Sequence, residues 1–464
     1  MIKYRKITDA LYFKYMKTIS YPEAVKLVDQ GKNVSREERL KLQKERLKSL
    51  VDYVRENSLY FKELYKDLKD DYSLNDLPAT EKATLLENYD EWVTDRDLNK
   101  ERVMKYLDRD VSDNSLLEGK YSALKTSGST GNPLPMVRDD YHNKIHGALV
   151  NLRLMAGIDV EILNPSKNKM ATVIHTSPGA SSYNGYLRAL AAFPDYRHNM
   201  MALSVLLDID TIVKKLNEFQ PDVLTGYATS LVMLAMEKEK GNLDIPVKMI
   251  ANSAEMLSDE AYHRIKKAFG CPVINNYCMT EGGEIAMTSG TSELLLNEDW
   301  IIVEPVDKNL NPIKDPNEFS DGILVTDLSN YVQPIIRYYV NDRVRIIPGE
   351  GDSLPVLQID GRAAELFELC GKRFSMIPII TKAEVWPGLI QWQILQLAPD
   401  TLQLRGICVS SEKKEEILAG LAGSLEKHFR ENGCVDAKFT YSSEPMKYNK
   451  KGGKVPRYID LTKD

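Results

Sequence analysis

Hydrophobic and polar positions follow three successive rhythms along the chain. In SREERLKLQKERLKSLVDYVRENSLYFKELY, apolar residues Leu40, Leu47, Leu50, Val51 and Val54 recur at helical spacing, and Lys, Arg and Glu fill mainly the other face. That pattern predicts a solvated helix packed on a larger domain, within a helical, highly charged stretch running to about residue 110. From about 120 to 330, short β-branched runs alternate with helical ones. MATVIH (170–175), DVLTGY (222–227), VKMIANS (247–253) and PVINNYC (272–278) read as strands. DTIVKKLNEFQ (210–220), ATSLVMLAMEKEKG closed by Gly241, and SDEAYHRIKKAFG read as helices, the last with Ser258 as N-cap and Gly270 just past its end. Such alternation predicts a layered α/β domain with a largely parallel sheet. After about 361 the rhythm changes again. WQILQLA and LQLRGICV flank Pro399-Asp400 as a hairpin, SEKKEEILAGLAGSLEKHFRENG is helical and VDAKFTYS is a strand. The fold class is therefore α/β. A large layered α/β domain with a helical start (1–110 helical, 111–360 α/β core) precedes a small α+β domain (361–464).

Composition narrows the classes. The 464 residues are 43% hydrophobic and 28% charged, which excludes a whole-chain disordered, collagen-like or coiled-coil reading. The net charge of −6 argues against bulk nucleic-acid or anionic-membrane binding. The five cysteines form no CxxC pair and have no His at zinc-ligand spacing, so reduced thiols and a cytoplasmic setting are expected. No signal peptide and no apolar stretch of ~18 residues is expected.

Four segments carry candidate chemistry. In Lys125-Thr126-Ser127-Gly128-Ser129-Thr130-Gly131-Asn132-Pro133, two glycines and several hydroxyls fit a nest of N–H groups around phosphate, though neither a Walker A nor a GxGxxG pattern is present. Asn275 to Glu281 follows a strand, where open α/β sheets bind ligands; Tyr277 can stack on a purine and Glu281 can hold Mg²⁺. Asp342, in a polar turn, can accept from a ribose diol. The basic loop Lys447–Arg457 can bring a cation to a phosphate. Taken singly, each also reads as ordinary structure: a turn, a core Tyr, a surface Asp paired with Arg343 or Arg345, a solvated charge run.

Together and in this order, these segments resemble the adenylate-forming superfamily of acyl-CoA synthetases and adenylation domains, in its phenylacetate–CoA ligase-like branch. KTSGSTGNP looks like its phosphate loop, NNYCMTE its adenine and magnesium motif, and DGILVTDLSNYVQPIIRYYVNDRVRI its ribose motif. DGRAAELFELCG looks like its hinge and KGGKVPRYID its lysine loop. The likeness runs from about residue 40 to the end. It implies that Thr126 and Ser127 through Gly131 hold the ATP phosphates, with Glu255 and Asn276 along the adenine edge and Tyr277 stacked on the base. It places Thr280 at the α-phosphate, Glu281 on Mg²⁺, Asp342 on the ribose, Arg362 at the hinge, and Lys454 bridging carboxylate and α-phosphate. Tyr183, Tyr227 and Cys278 are candidates for the acid pocket, Cys278 being a larger residue where the family usually has Gly and expected to be buried and inert.

The implied activity is ATP-dependent adenylation of a small, aromatic or similar, carboxylic acid, then acyl transfer to the thiol of coenzyme A as the small domain swings. Alternatives are transfer to a phosphopantetheine carrier protein, a protein Cys or an amine, and a nucleotide-binding homologue without catalysis. The hinge's Ala363-Ala364-Glu365, where the family usually carries paired aspartates, keeps the other acceptors open. The resemblance also makes a homodimer conceivable.

Overall fold

The computed structural model describes residues 19–462 except 33, 110–114, 127–132, 175, 177–180, 206, 208, 289, 363–365, 377–378, 380–381, 384–385, 432 and 448–456. The chain divides into two compact units. One comprises residues 1–227, 244–254 and 271–359; the other comprises 228–243, 255–270 and 360–464.

The first unit holds a parallel sheet. Its strands β3 (Met170–Ile174), β4 (Met200–Ser204), β5 (Val223–Gly226), β6 (Met249–Asn252) and β7 (Val273–Ile274) lie in the order β4-β3-β5-β6-β7. Every neighbouring pair is parallel, which requires long crossovers. Helix Ile209–Phe219 makes one of them, burying Ile212, Val213 and Leu216. Before this sheet, β1 (Ser122–Lys125) and β2 (Pro135–Arg138) form an antiparallel hairpin around the Gly/Ser/Thr loop.

The expected strand 272–278 is two strands. Asn275 exchanges backbone hydrogen bonds with Thr288, its N–H donating to Thr288 Oγ1 at 2.9 Å and its carbonyl accepting from Thr288 N at 2.9 Å. It thereby leaves the parallel sheet, and β8 (Asn276–Met279) opens an antiparallel sheet with β9 (Gly283–Thr288), β10 (Leu294–Leu296), β14 (Asp342–Ile347) and β15 (Val356–Arg362). A third sheet joins β11 (Ile301–Val306), β12 (Gly322–Asp327) and β13 (Tyr338–Val340), all antiparallel. Alternation alone does not reveal this break, because both halves of PVINNYC are apolar enough for either sheet.

The N-terminal helix spans Arg36–Asn57, capped by Ser35, whose hydroxyl accepts from Glu38 N–H. Leu47, Leu50, Val51 and Val54 are buried as the spacing predicts, but Leu40 is 39% exposed. The turn of helix it would occupy is filled by arginine. Arg39 donates to Glu298 at 2.9 Å, and Arg46 lies over the Trp300 ring 3.5 Å from its centroid. Arg153 makes a two-pronged contact with the buried Asp299 at 2.8 and 2.9 Å. Binary patterning assigns arginine to solvent, so these buried pairs were beyond it.

In the second unit, helices Ala228–Glu239 and Asp259–Phe269 pack on each other. Ser258 accepts from Ala261 N–H and Gly270 ends the second helix at φ +66, where a side chain would be strained. The remainder holds an antiparallel pair, β16 (Leu366–Leu369) and β17 (Lys372–Ser375), and a four-stranded sheet of β18 (Leu389–Ala398), β19 (Thr401–Cys408), β20 (Lys438–Tyr441) and β21 (Tyr458–Asp460), with helix Lys414–Glu431 over one face. β18 and β19 form the hairpin across Pro399-Asp400. The α/β class expected from the sequence is the fold observed.

Candidate active site

The site is assembled in the first unit by the end of the parallel sheet and the strands that leave it. Tyr277 stands on β8, and its hydroxyl donates to Asp342 at the start of β14 at 2.6 Å. The residues expected at the base and at the ribose are thus directly joined, and Asp342 has this bond rather than only the arginines beside it in sequence. The turn after β8 carries Thr280 and Glu281. Arg138, on β2, donates to the Thr280 carbonyl at 2.8 Å and fixes the turn. Glu281 accepts from the Tyr338 hydroxyl at 3.1 Å. Burial pushes the Glu281 carboxyl above its usual range, against the pull of hydrogen bonds and of Lys82 and Arg138. A carboxylate in that position gains from a divalent cation, so Glu281 fits the role of Mg²⁺ ligand. Asn276 Oδ1 is buried without a hydrogen-bond partner among the described residues, and an incoming base amino group suits it.

Thr126 is committed to the hairpin. Its N–H donates to Leu134 O at 3.1 Å, and its Oγ1 accepts from Leu134 N–H at 2.9 Å. Ser127, Gly128, Ser129, Thr130, Gly131 and Lys454 lie outside the described residues, as do residues 363–365, expected at a hinge. Arg362 ends β15.

Glu255 belongs to the second unit. There it accepts from Thr229 N–H at 3.0 Å and Thr229 Oγ1 at 2.8 Å, and pairs with Arg457 at 3.7 Å. Tyr183 stacks on Tyr186 with ring centroids 6.0 Å apart, on the helix Ser181–Ala192. Tyr227 follows β5 directly and is half-buried. Cys278 is exposed rather than buried, because β8 turns it outward next to Tyr277. Protein atoms close around its sulfur and the Glu284 carboxylate still push the thiol up to about 11, so it is no thiolate at neutral pH.

One cluster escaped the sequence reading. His142 and His146, on helix Asp140–Leu149, face Asp327 and Ser329 at the end of β12 and Glu284 on β9. Only the i, i+4 spacing of the two histidines in DYHNKIHG hinted at it. Burial and the neighbouring imidazole hold His142 far below the usual range and therefore neutral. Burial pulls His146 the same way, but the Glu284 carboxylate outweighs it and raises it.

No family model matches the chain. It is 24% identical over 362 residues to Protein CapK of Staphylococcus aureus, across 73% of this chain and 69% of that protein. It is 24% identical over 192 residues to a phenylacetate-coenzyme A ligase of Pseudomonas putida, across 40% and 41% of the two chains. Among solved structures, a 2-hydroxyisobutyryl-CoA ligase in the postadenylation state with R3-HIB-AMP superposes with a TM-score of 0.67 at 17% identity, covering 94% of this chain and 92% of that one. The chain has the fold of the adenylate-forming ligases. On that fold, two of the residues that the resemblance singles out, Tyr277 and Asp342, are joined by a hydrogen bond, and a third, Glu281, is bonded to Tyr338. No helix among the described residues is long and apolar enough to cross a membrane.

Proposed function

We propose that the chain is an ATP-dependent acid ligase that adenylates a small carboxylic acid and passes the acyl group to the thiol of coenzyme A. The observation that carries the reading is the hydrogen bond from Tyr277 to Asp342, with Glu281 held by Tyr338 beside it, on the adenylate-forming fold. In this reading Tyr277 supports the adenine, Asp342 takes the ribose hydroxyls, and the glycine-rich segment from Ser127 to Gly131 receives the phosphates. The acid's carboxylate oxygen attacks the α-phosphorus and pyrophosphate leaves. The carboxylate is already ionised at neutral pH, so no general base is needed, and positioning with charge neutralisation supplies the rate. Bound Mg²⁺ would neutralise phosphate charge, held through Glu281. Lys454 bridges the acid and the α-phosphate. A thiol then attacks the acyl carbonyl and AMP departs.

A second acceptor reading rests on the hinge. Ala363-Ala364-Glu365 follows Arg362 where the resembled family usually carries paired aspartates, which keeps a carrier-protein thiol, a protein Cys or an amine open as the acceptor. Accumulation of the acyl-CoA thioester when CoA is the only thiol present supports the first reading. Acyl-adenylate that forms without any thioester moves the acceptor to a protein or an amine.

Glu281→Gln tests the metal ligand. Loss of a charge-assisted contact costs ~1.5–3 kcal/mol, so the Mg²⁺ needed for half-maximal pyrophosphate release should rise roughly tenfold or more. An unchanged Mg²⁺ titration removes Glu281 from the metal.

A further inference from the structure

We infer that His142, His146 and Asp327 form a binding site for a divalent transition cation of the Zn²⁺ class, separate from any Mg²⁺ that accompanies ATP. The three side chains are buried, and their donor atoms all lie within 4.8 Å of one another. His142 Nδ1 is 3.2 Å from Asp327 Oδ2, and His146 Nε2 is 3.8 Å from Asp327 Oδ1. Metal–ligand bonds of ~2.0–2.2 Å in a tetrahedron put neighbouring ligand atoms about 3.3–3.5 Å apart, so these spacings need only small side-chain adjustments.

Three further features point inward to the same spot. Asp327 is fully buried, with His142 Nδ1 beside one carboxylate oxygen and His146 Nε2 facing the other, so the carboxylate stands between the two imidazoles. Glu284 contacts Nδ1 of His146, the nitrogen turned away from the cluster. A carboxylate against one ring nitrogen, with the other turned to the cluster, is the arrangement that orients metal-ligating histidines elsewhere. Ser329 Oγ sits 3.0 Å from both His142 Nδ1 and His146 Nε2, and donates to Asp327 Oδ1 at 2.6 Å. It occupies the fourth corner, where it or a water completes the coordination.

The donor set selects the metal. Two imidazoles and one carboxylate suit Zn²⁺, Co²⁺ or Ni²⁺, whereas Mg²⁺ demands oxygen donors and keeps its waters. The ring of His146 also lies against Gly283, where a Cβ would come within 2.2 Å of it at a backbone φ of +64. Gly283 follows Thr280 and Glu281 by only a few residues. A bound cation would tie helix Asp140–Leu149 to the end of β12 and, through Glu284, to the strand behind the site's turn.

The test uses the full chain stripped by a chelator and titrated with Co²⁺, then Zn²⁺. One Co²⁺ per chain should bind, with a ligand-field spectrum of nitrogen and oxygen donors and no thiolate charge-transfer band, and Zn²⁺ should displace it. A saturating hundredfold excess over Kd should raise Tm by roughly 3 °C or more. His146→Gln and Asp327→Asn should each weaken binding at least 100-fold, and Glu284→Gln by roughly 10–100-fold. Absence of stoichiometric binding by the stripped wild-type chain overturns the site, and so does a thiolate band or affinity unchanged in Glu284→Gln. The wild-type titration decides the matter even where a variant does not fold.

Discussion

Replacing Asp299 with Ala should lower the stability of the first unit by about 3–5 kcal/mol, the cost of removing one partner from a buried ion pair. The aspartate is fully buried and is the hub of the N-terminal packing. Arg153 grips both its oxygens, at 2.8 and 2.9 Å, and Arg46 lies 3.5 Å from Oδ2. Without the carboxylate, two guanidinium groups remain in a dry interior with no charge to face them. The chain makes room for the hub: a Cβ on Gly31 would fall 2.0 Å from Asp299 Oδ2. At ~2 °C per kcal/mol for a unit of this size, the midpoint of thermal unfolding should fall by roughly 6–10 °C. Asp52→Ala is the contrasting case, since its pair with Lys48 is exposed on both sides and is expected to cost under ~0.5 kcal/mol. The pair also has a pH signature. Burial opposes ionisation of Asp299, but Arg153 and Arg46 outweigh it and hold the carboxyl below its usual range. Its contribution is therefore complete above the unfolded carboxylate range near pH 4 and is lost as pH falls through the lower folded value. Calorimetry across pH 3–7 should show the difference between wild type and Asp299→Ala shrinking toward the acid end. A difference that stays constant would mean that packing, not charge, holds the hub.

Lys454→Ala should reduce acyl-adenylate formation by ~10²-fold or more while leaving the fold intact. The proposed role is electrostatic. As the carboxylate attacks and pyrophosphate separates, negative charge concentrates on the α-phosphoryl oxygens, and an ammonium aimed there lowers the barrier without having to reorganise. Three positions after Lys454 in the sequence, Arg457 pairs with Glu255 at 3.7 Å, and Tyr458 opens β21. An alanine variant with wild-type adenylation would transfer the role to Lys450 or Lys451. The acyl-transfer half-reaction, started from preformed acyl-adenylate, should suffer far less, which separates a charge aimed at adenylation from general damage.

The fold was legible wherever local signals agree with tertiary structure. Ser258 and Gly270 bound their helix at both ends, and the β-branched runs at 170, 222 and 247 are strands of one parallel sheet. Sequence reasoning failed where burial selects against type. Arg39, Arg46 and Arg153 are buried because Glu298 and Asp299, more than 100 residues away, wait for them, and no local pattern encodes that pairing. Leu40 came out exposed for the same reason. Asn275 ends one sheet and begins another through a bond to Thr288 that periodicity cannot register. Of the candidate site, the Tyr277 and Asp342 pair came from motif order, since 65 positions separate them in the chain. Cys278 was misplaced because a strand-end residue faces inward or outward according to the strand's twist, which its neighbours' chemistry does not specify.

The measurement that bears most directly on the proposed activity is pyrophosphate release from ATP and Mg²⁺ across a panel of aryl and short acyl acids, each with and without CoA. The proposal predicts release that depends on one class of carboxylic acid, that CoA accelerates, and that Lys454→Ala lowers by ~10²-fold or more. Tight ATP binding with no acid-dependent release from any member of the panel would contradict it and leave a nucleotide-binding protein that does not adenylate.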